Sequence, residues 1–310
     1  LTLRVGAYTE ACNRAMETAR RLGVYAIVRI QDKTERAVGV MNGQTDLLSI
    51  EELSGVGVQI FTFEGYSGFA SSDMITLESL EHLVESATNL AKASAKYGAQ
   101  PSREINQARP LIRDIDVPVP MGLDSISHDE EERLVREVCE TAMKIDPRLA
   151  VRSFYRIANE QWRVVRSDGT DTMFSMPRSA AMNMITARDG GRAASANASL
   201  AGADASIIAS SDGRSRLDKR TRKAALTALA LLDAPRVAAG PYRVVIDYAL
   251  AKGLAHEAFG HAAECDGMET SILGLNGKFR KGHRVASDIV NIVDGPVEGD
   301  YAYQPISANG

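Results

Sequence analysis

The sequence has few cysteines, little net charge and no long apolar run, and each shortage excludes a class of protein. Three cysteines in 310 residues are too few and too far apart for a disulfide scaffold, which is typical of a reducing compartment. A net charge of -4 gives no global field that would attract nucleic acid or an anionic membrane. No segment approaches the roughly 20 apolar residues that cross a bilayer, and the N-terminus lacks the apolar core of a signal peptide. We therefore expect a soluble, cytoplasmic protein whose partners include neither nucleic acid nor membrane.

Helical spacing and strand alternation indicate a first module over residues 1–125. Apolar residues at spacings of three and four predict a helix over residues 9–22, and strand-like runs follow it. Within these runs the pair Asn42-Gly43 predicts the turn of a β-hairpin. A second helix is predicted over residues 76–97. The stretch after it contains four prolines, lacks periodicity and is interpreted as a linker.

A second module is predicted over residues 126–310. It begins with an amphipathic helix over residues 129–144, and a second antiparallel sheet is expected between residues 148 and 208. A helix with a basic face follows over residues 217–232, and we interpret that face as solvated. Residues 242–249 are predicted to form a buried strand that leads directly into one more helix. The fold class is thus α+β, with antiparallel β-sheets flanked by helices in two modules. The hydrophobic residues, 45% of the sequence, are enough to form a core.

The final predicted helix carries the motif HExxxH. In this motif His256 and His261 are five residues apart and Glu257 follows the first histidine. The better known HExxH motif places two zinc-binding histidines one helical turn apart, with the glutamate as general base. Two histidines beside a glutamate also occur by chance, but the surrounding alanine and glycine residues leave space for a ligand.

The extra residue in the motif predicts a distorted helix. At about 100° per residue, a spacing of five separates two side chains by about 140° on a regular α-helix, which is too far for one ion. A wider π-type turn brings them together, and Gly260 makes such a turn easier to form. We therefore expect a π-bulge or kink between Ala255 and Ala262.

The chemistry that this motif predicts is hydrolysis by activated water. Zinc bound by His256 and His261 would lower the pKa of a bound water to about 7. Glu257 would accept the proton of the attacking water and deliver it to the leaving amine. A catalytic zinc site needs a third protein ligand, for which the local residue types offer Glu264, Cys265 and His283. The sequence does not choose among them, since each has an equally good role in the core or in solvent.

The residues that carry the motif also resemble a known family. HEAFGHAAECD, DIVNIVDGP, YAIVRIQDK, VMNGQ and GVGVQIFTFEGYSGFASS resemble the TldD/PmbA family, and specifically its zinc-bearing, TldD-type subunits. The resemblance implies a cytoplasmic metallopeptidase that acts on unfolded or extended peptides, often during the maturation of modified peptides. It also implies a dimer, either a homodimer or a heterodimer with a PmbA (TldE)-type subunit that lacks the metal motif.

The same resemblance implies that His256 and His261 are zinc ligands and that Glu257 is the catalytic base. The family's third ligand is a cysteine in a C-terminal β-rich domain, with which Cys265 does not align. Because the sequence ends at Gly310, we expect that this domain is missing from it. Two other functions stay open: a zinc-dependent, amide-processing enzyme of a biosynthetic pathway, and a non-hydrolytic subunit of a TldD/TldE-type complex.

Overall fold

The computed structural model describes residues 3–98, 101, 109–264, 267–276 and 278–308. The chain divides into two compact units, which are described separately. The first contains Leu1–Ala234 together with Val297–Gly310, and the second contains Pro235–Pro296.

Seven strands of the first unit form one sheet in the order β3-β2-β1-β5-β6-β4, with β7 also paired to β6. The strands are β1 Tyr25–Met41, β2 Gln44–Phe61, β3 Ser67–Ser72, β4 Ile112–Ile115, β5 Leu149–Arg166, β6 Asp171–Asp189 and β7 Arg192–Gly202. Every pair is antiparallel except β4 with β6. The predicted hairpin turn is confirmed, because Asn42 and Gly43 both have positive φ and join β1 to β2.

The helices of the first unit cover one face of this sheet in two groups, one near each end of the long strand β1. They are α1 Thr9–Leu22, α2 Leu77–Lys96, α3 His128–Met143, α4 Ser206–Ala209 and α5 Ser211–Leu231. At one end α1 and α2 pack on Val28 and Ile30 of β1. At the other end α3, α4 and α5 pack on Val38 and Val40 of the same strand. Because strand side chains alternate between faces, these even-numbered positions share one face, and two separate cores form along it.

The opposite face of the sheet contacts the C-terminal residues of the chain. Ile27, Val164 and Phe174 form a small apolar cluster with Ile306, which is 6% exposed. Tyr301 accepts a hydrogen bond from Arg156 of β5 on this face. Residues 297–308 therefore pack in the same unit as the sheet, although residues 235–296 separate them from it in sequence.

The second unit is small and consists mostly of exposed residues. It contains α6 Tyr248–Ala255, a π-helical turn at His256–Gly260 and a two-stranded hairpin of β8 Gly274–Leu275 and β9 Lys278–Phe279. Among the described helices of both units, none is long and apolar enough to cross a membrane.

The structure corrects three of the sequence-based expectations. The two predicted sheets are one, because β1 pairs with β5 from Ile27↔Arg166 to Met41↔Arg152. The predicted linker contains β4, which pairs with β6 where that strand begins. The buried strand at residues 242–249 is wrong: in the described part of the chain nothing pairs with it, Val245 is 95% exposed, and α6 begins at Tyr248. An apolar, β-branched run alone does not form a strand without a neighbour to accept its backbone hydrogen bonds.

Candidate metal centre

Helix α6 brings the chain to the HExxxH motif. The helix begins where the carboxylate of Asp247 accepts hydrogen bonds from the backbone N–H groups of Ala249, at 3.0 Å, and Leu250, at 3.3 Å. This is N-capping by an aspartate, which satisfies donors that the first helical turn leaves free. The motif begins at His256, directly after the last residue of α6. It therefore lies at the C-terminal end of a helix.

The predicted π-type distortion is confirmed and lies at His256–Gly260. The backbone N–H of His261 donates to the carbonyl oxygen of His256, which is the i to i+5 hydrogen bond of a π turn. Gly260 has φ -57° and ψ -59°, an ordinary helical conformation. A methyl group at this position would stand 3.6 Å from Nδ1 of His256, which is normal van der Waals contact. The wider turn therefore does not depend on glycine's access to positive φ.

The π turn places both imidazoles and the carboxylate of the motif together. The ring centroids of His256 and His261 are 4.5 Å apart with planes at 68°. One ligand atom from each of His256, Glu257 and His261 lies within 4.8 Å of the others. Among the residues that the structure describes, His256, Glu257 and His261 are the one group of three or more histidine, cysteine or acidic side chains close enough together to hold a metal ion.

The ring of His261 lies between two carboxylates. Its Nδ1 atom is 2.9 Å from Oε1 of Glu264, and its Nε2 atom is 3.8 Å from Oε2 of Glu257. The hydrogen bond with Glu264, together with the negative charge of that carboxylate, raises the pKa of His261 above its ordinary value. Histidines that bind metals commonly donate their second ring N–H to a carboxylate in this way, which fixes the tautomer and leaves the other nitrogen for the ion.

The donor set fits zinc in type. Imidazole nitrogens are common ligands in catalytic zinc sites, a carboxylate beside the first histidine is the usual general base, and the Nδ1 contact of His261 leaves its Nε2 atom for a metal. The three side chains are exposed in the described part of the chain, so solvent or substrate reaches them freely.

The candidates for a third ligand have different positions. Glu264 contacts the ring of His261 through Nδ1, so in this structure its carboxylate is engaged with that ring. Cys265 lies outside the described residues. His283 is exposed and is not a member of the group around His256. The contact between Glu264 and His261 was missed from the sequence, although a spacing of three on a helix could have indicated it.

The segment after the motif is held against the end of the helix. The hydroxyl of Ser271 donates to the carbonyl oxygen of Ala262, one of the carbonyls that a helix C-terminus leaves free. Gly274, three residues later, has no room for a side chain, because a Cβ atom there would lie 1.9 Å from the carbonyl oxygen of Met268. The loop over residues 267–276 thus packs on itself and anchors the end of the motif.

Comparisons with known proteins identify the two ends of the chain separately. Residues 26–91 match the family model of PmbA/TldA metallopeptidase domain 1, and residues 239–310 match that of the PmbA/TldA metallopeptidase C-terminal domain. The second match contains all three residues of the motif. The first lies within the first unit and includes β2, β3 and most of β1 and α2.

Two archaeal relatives carry the name metalloprotease. The one from Methanocaldococcus jannaschii is 22% identical over 289 residues, which are 92% of this chain and 61% of that protein. The one from Archaeoglobus fulgidus is 34% identical over 80 residues, or 26% of this chain and 18% of that protein. The chain thus spans about three fifths of the length of the Methanocaldococcus relative.

Solved structures share the fold at low sequence identity. A protein from Bacteroides thetaiotaomicron, described as a proposed modulator of DNA gyrase, has a TM-score of 0.66 and 18% identity over 84% of this chain and 58% of its own. TldE from Thermococcus kodakarensis has a TM-score of 0.56 and 14% identity over 69% of this chain and 47% of its own. These two likenesses establish the architecture, and by themselves they say nothing about activity.

Proposed function

Because the chain belongs to the PmbA/TldD family, we propose that it is a zinc-dependent peptidase that hydrolyses unfolded or extended peptides. The observation that carries this proposal is the π turn, which brings His256 and His261 together beside Glu257. A spacing of five would separate the two rings on a regular helix, so the distortion makes a shared ion possible.

In this proposal His256 and His261 hold the metal, and Glu264 fixes the ring of His261. The hydrogen bond at 2.9 Å to Nδ1 keeps that nitrogen engaged and leaves Nε2 as the lone pair for the ion. Zinc suits this donor set, and when bound it lowers the pKa of a coordinated water to about 7 and polarises the scissile carbonyl.

Glu257 moves the proton. Its carboxylate oxygen lies 3.8 Å from Nε2 of His261. It is therefore close enough to hydrogen-bond a water on an ion held by that nitrogen. It accepts the proton of the attacking water, so that the new C–O bond forms as the O–H bond breaks. It then transfers this proton to the amide nitrogen as the C–N bond breaks, which lets the amine leave neutral.

The substrate and the partner follow from the family and remain part of the proposal. An extended peptide suits a sheet with edge strands, such as β3, since backbone hydrogen bonds bind peptides with little sequence preference. The likeness to TldE supports assembly with a PmbA/TldE-type subunit, with a homodimer as the alternative. We place the protein in the cytoplasm, where its thiols would stay reduced.

The substitution Glu257→Gln tests the proposed mechanism. It removes the base and leaves both histidines and the local shape, so we expect the zinc content to be retained and kcat to fall about 10²–10⁴-fold. Zinc is measured by mass spectrometry of the purified protein, and turnover is measured on unfolded peptides. Glu269→Gln is a matched control, since Glu269 is an exposed glutamate of the same unit outside the metal group.

The same assay separates the two other functions. Undiminished turnover in Glu257→Gln would contradict the proposed role of this residue. Cleavage of small amides and not of peptides would favour a biosynthetic amide-processing enzyme. A wild-type chain that hydrolyses neither, even with zinc and a TldE-type partner present, would favour a non-hydrolytic subunit.

A further inference from the structure

A cavity of about 760 Å³ lies on the helix-covered face of the sheet, in the gap between its two cores. Its floor is formed by polar side chains of β1, β2, β5 and β6, at positions that register brings onto one face. These floor residues are Asp32, Thr34, Glu52, Asn159, Gln161 and Ser175. One wall is the segment from Asp116 to Ser125, and residues Leu3 and Arg4 close another side. The volume lies within the range of small-ligand pockets, about 300–1,000 Å³.

The charges that line the cavity are mostly negative and unbalanced. Four carboxylates line it, those of Asp32, Glu52, Asp116 and Asp124. In the described ranges of the chain, none of the four forms an ion pair. Two arginines also line it: the guanidinium of Arg36 is already bound to the fully buried carboxylate of Glu131 at 2.7 Å, which leaves Arg4 to offset one of the four negative charges. An excess of negative charge is therefore left at the sheet floor.

The opposite face of the same strands shows the contrast. There Lys33 pairs with Glu35 at 2.7 Å, and Arg178 lies 3.9 Å from Glu160. Glu35 and Glu160 thus have basic partners on that face, whereas Asp32 and Glu52 have none in the described part of the chain. Asp32 and Glu52 are diagonal neighbours on adjacent strands, a spacing of about 7–8 Å that one cation with several donors can bridge.

One amide oxygen of the floor is left without a hydrogen-bond partner. The side-chain oxygen of Asn159 is buried and has no partner in the described structure, although such an atom normally has one. Two of the carboxylates are held in place by hydroxyl groups, because Asp116 accepts from Ser175 at 2.8 Å and Asp32 accepts from Ser54 at 3.2 Å. A ligand that supplies several N–H donors and a positive charge would complement these acceptors.

We propose that this cavity binds the cationic group of an arginine or lysine side chain in a peptide. The guanidinium group is the better match, since its planar array of five donors can contact two carboxylates and the Asn159 oxygen at once. A peptide as the source of the cation rests on the proposed function. Binding of the cation does not, because no residue of the motif lines the cavity.

Binding of three small probes to the 310-residue chain tests this proposal, in the Glu257→Gln background so that no hydrolysis intervenes. The probes are Nα-acetyl-arginine amide, Nα-acetyl-lysine amide and the uncharged Nα-acetyl-citrulline amide, titrated by NMR. We expect the arginine probe to bind most tightly, the citrulline probe not to bind measurably, and the affinity to fall when salt is raised from about 50 to 500 mM.

Substitutions locate the site. Neutralising Glu52→Gln or Asp32→Asn should each weaken the arginine probe about fivefold, since partly exposed ion pairs contribute about 1 kcal/mol. Glu51→Gln is the matched control, because Glu51 is the neighbouring residue on β2 and lies on the opposite face. Equal binding of arginine and citrulline, equal losses in Glu51→Gln and Glu52→Gln, or no binding of the arginine probe at millimolar concentration would each overturn the proposal. These outcomes do not depend on the proposed function, because a failure of the protein to hydrolyse peptides would not change its binding of the three probes.

Discussion

The ring of His261 interacts with two carboxylates of the candidate metal centre. Glu264 contacts its Nδ1 atom at 2.9 Å, and Glu257 lies 3.8 Å from its Nε2 atom. The first contact raises the pKa of His261, so the metal-free ring keeps its proton to a higher pH than an isolated imidazole. Zinc binds the neutral ring, and its affinity should therefore rise with pH until this group has lost its proton.

The variant Glu264→Gln tests this arrangement. In the metal-free protein we expect the pKa of His261 to be above its ordinary value of 6.5 and to fall in the variant, because the hydrogen bond to a carboxylate and its charge are both lost. The pKa is measured from the pH dependence of the imidazole NMR signals. Zinc affinity should also fall, about 10–100-fold, as is usual when a carboxylate behind a ligand histidine is removed. An unchanged pKa in Glu264→Gln, with Glu269→Gln as reference, would mean that the two side chains do not interact in solution.

At the level of elements, the contact between β3 and α2 is unusually close. A Cβ atom at Gly68 would lie 2.1 Å from the carbonyl oxygen of Ala87 and 2.5 Å from the backbone nitrogen of Ala91. Such distances do not occur between real atoms, and neither partner is a side chain that could move away. The absence of a side chain at Gly68 therefore sets how closely the helix approaches the edge of the sheet.

Gly68→Ala should destabilise the protein by about 1–3 kcal/mol, the usual cost of overpacking. Gly55→Ala is the matched control, since the nearest atom to its added methyl is the carbonyl oxygen of Ser72 at 3.5 Å, an ordinary contact. The free energy of unfolding of both variants is measured in urea. If Gly68→Ala were as stable as Gly55→Ala, the packing of α2 against β3 described here would be wrong.

Local pattern predicted the elements of the fold better than their assembly. Helices α1, α2 and α3 and the Asn42-Gly43 turn follow from spacing and turn chemistry, which depend on nearby residues alone. The merging of two predicted sheets into one depends on the pairing of β1 with β5, more than a hundred residues apart, which alternation within one strand does not reveal. The prediction of a buried strand at residues 242–249 was wrong for a related reason, because the burial of a segment depends on what packs against it.

The candidate site divides in the same way. The π turn could be predicted because the spacing of His256 and His261 makes any other geometry unable to hold one ion. The cavity could not, since Asp32, Thr34 and Asn159 read as ordinary polar positions of long strands. Only the placement of helices at both ends of the sheet shows that these residues form a floor between two cores.

Across the whole chain, the two units differ in how much buried apolar surface stabilises each of them. The sheet unit contains all of the apolar clusters, whereas none of the described residues between 235 and 296 is buried. A unit with so little core has little hydrophobic stabilisation of its own. Metal binding by His256 and His261 would add stabilisation there, because an ion that binds only the folded form contributes its binding free energy to folding.

The central claim is that one zinc ion binds at the π turn. The most direct measurement is an anomalous diffraction map, recorded at the zinc absorption edge from crystals of the protein prepared with zinc. We predict a peak at bonding distance from both His256 and His261, about 2.0–2.1 Å from each imidazole nitrogen. A map with no peak at these histidines, or with zinc bound only elsewhere, would contradict the account.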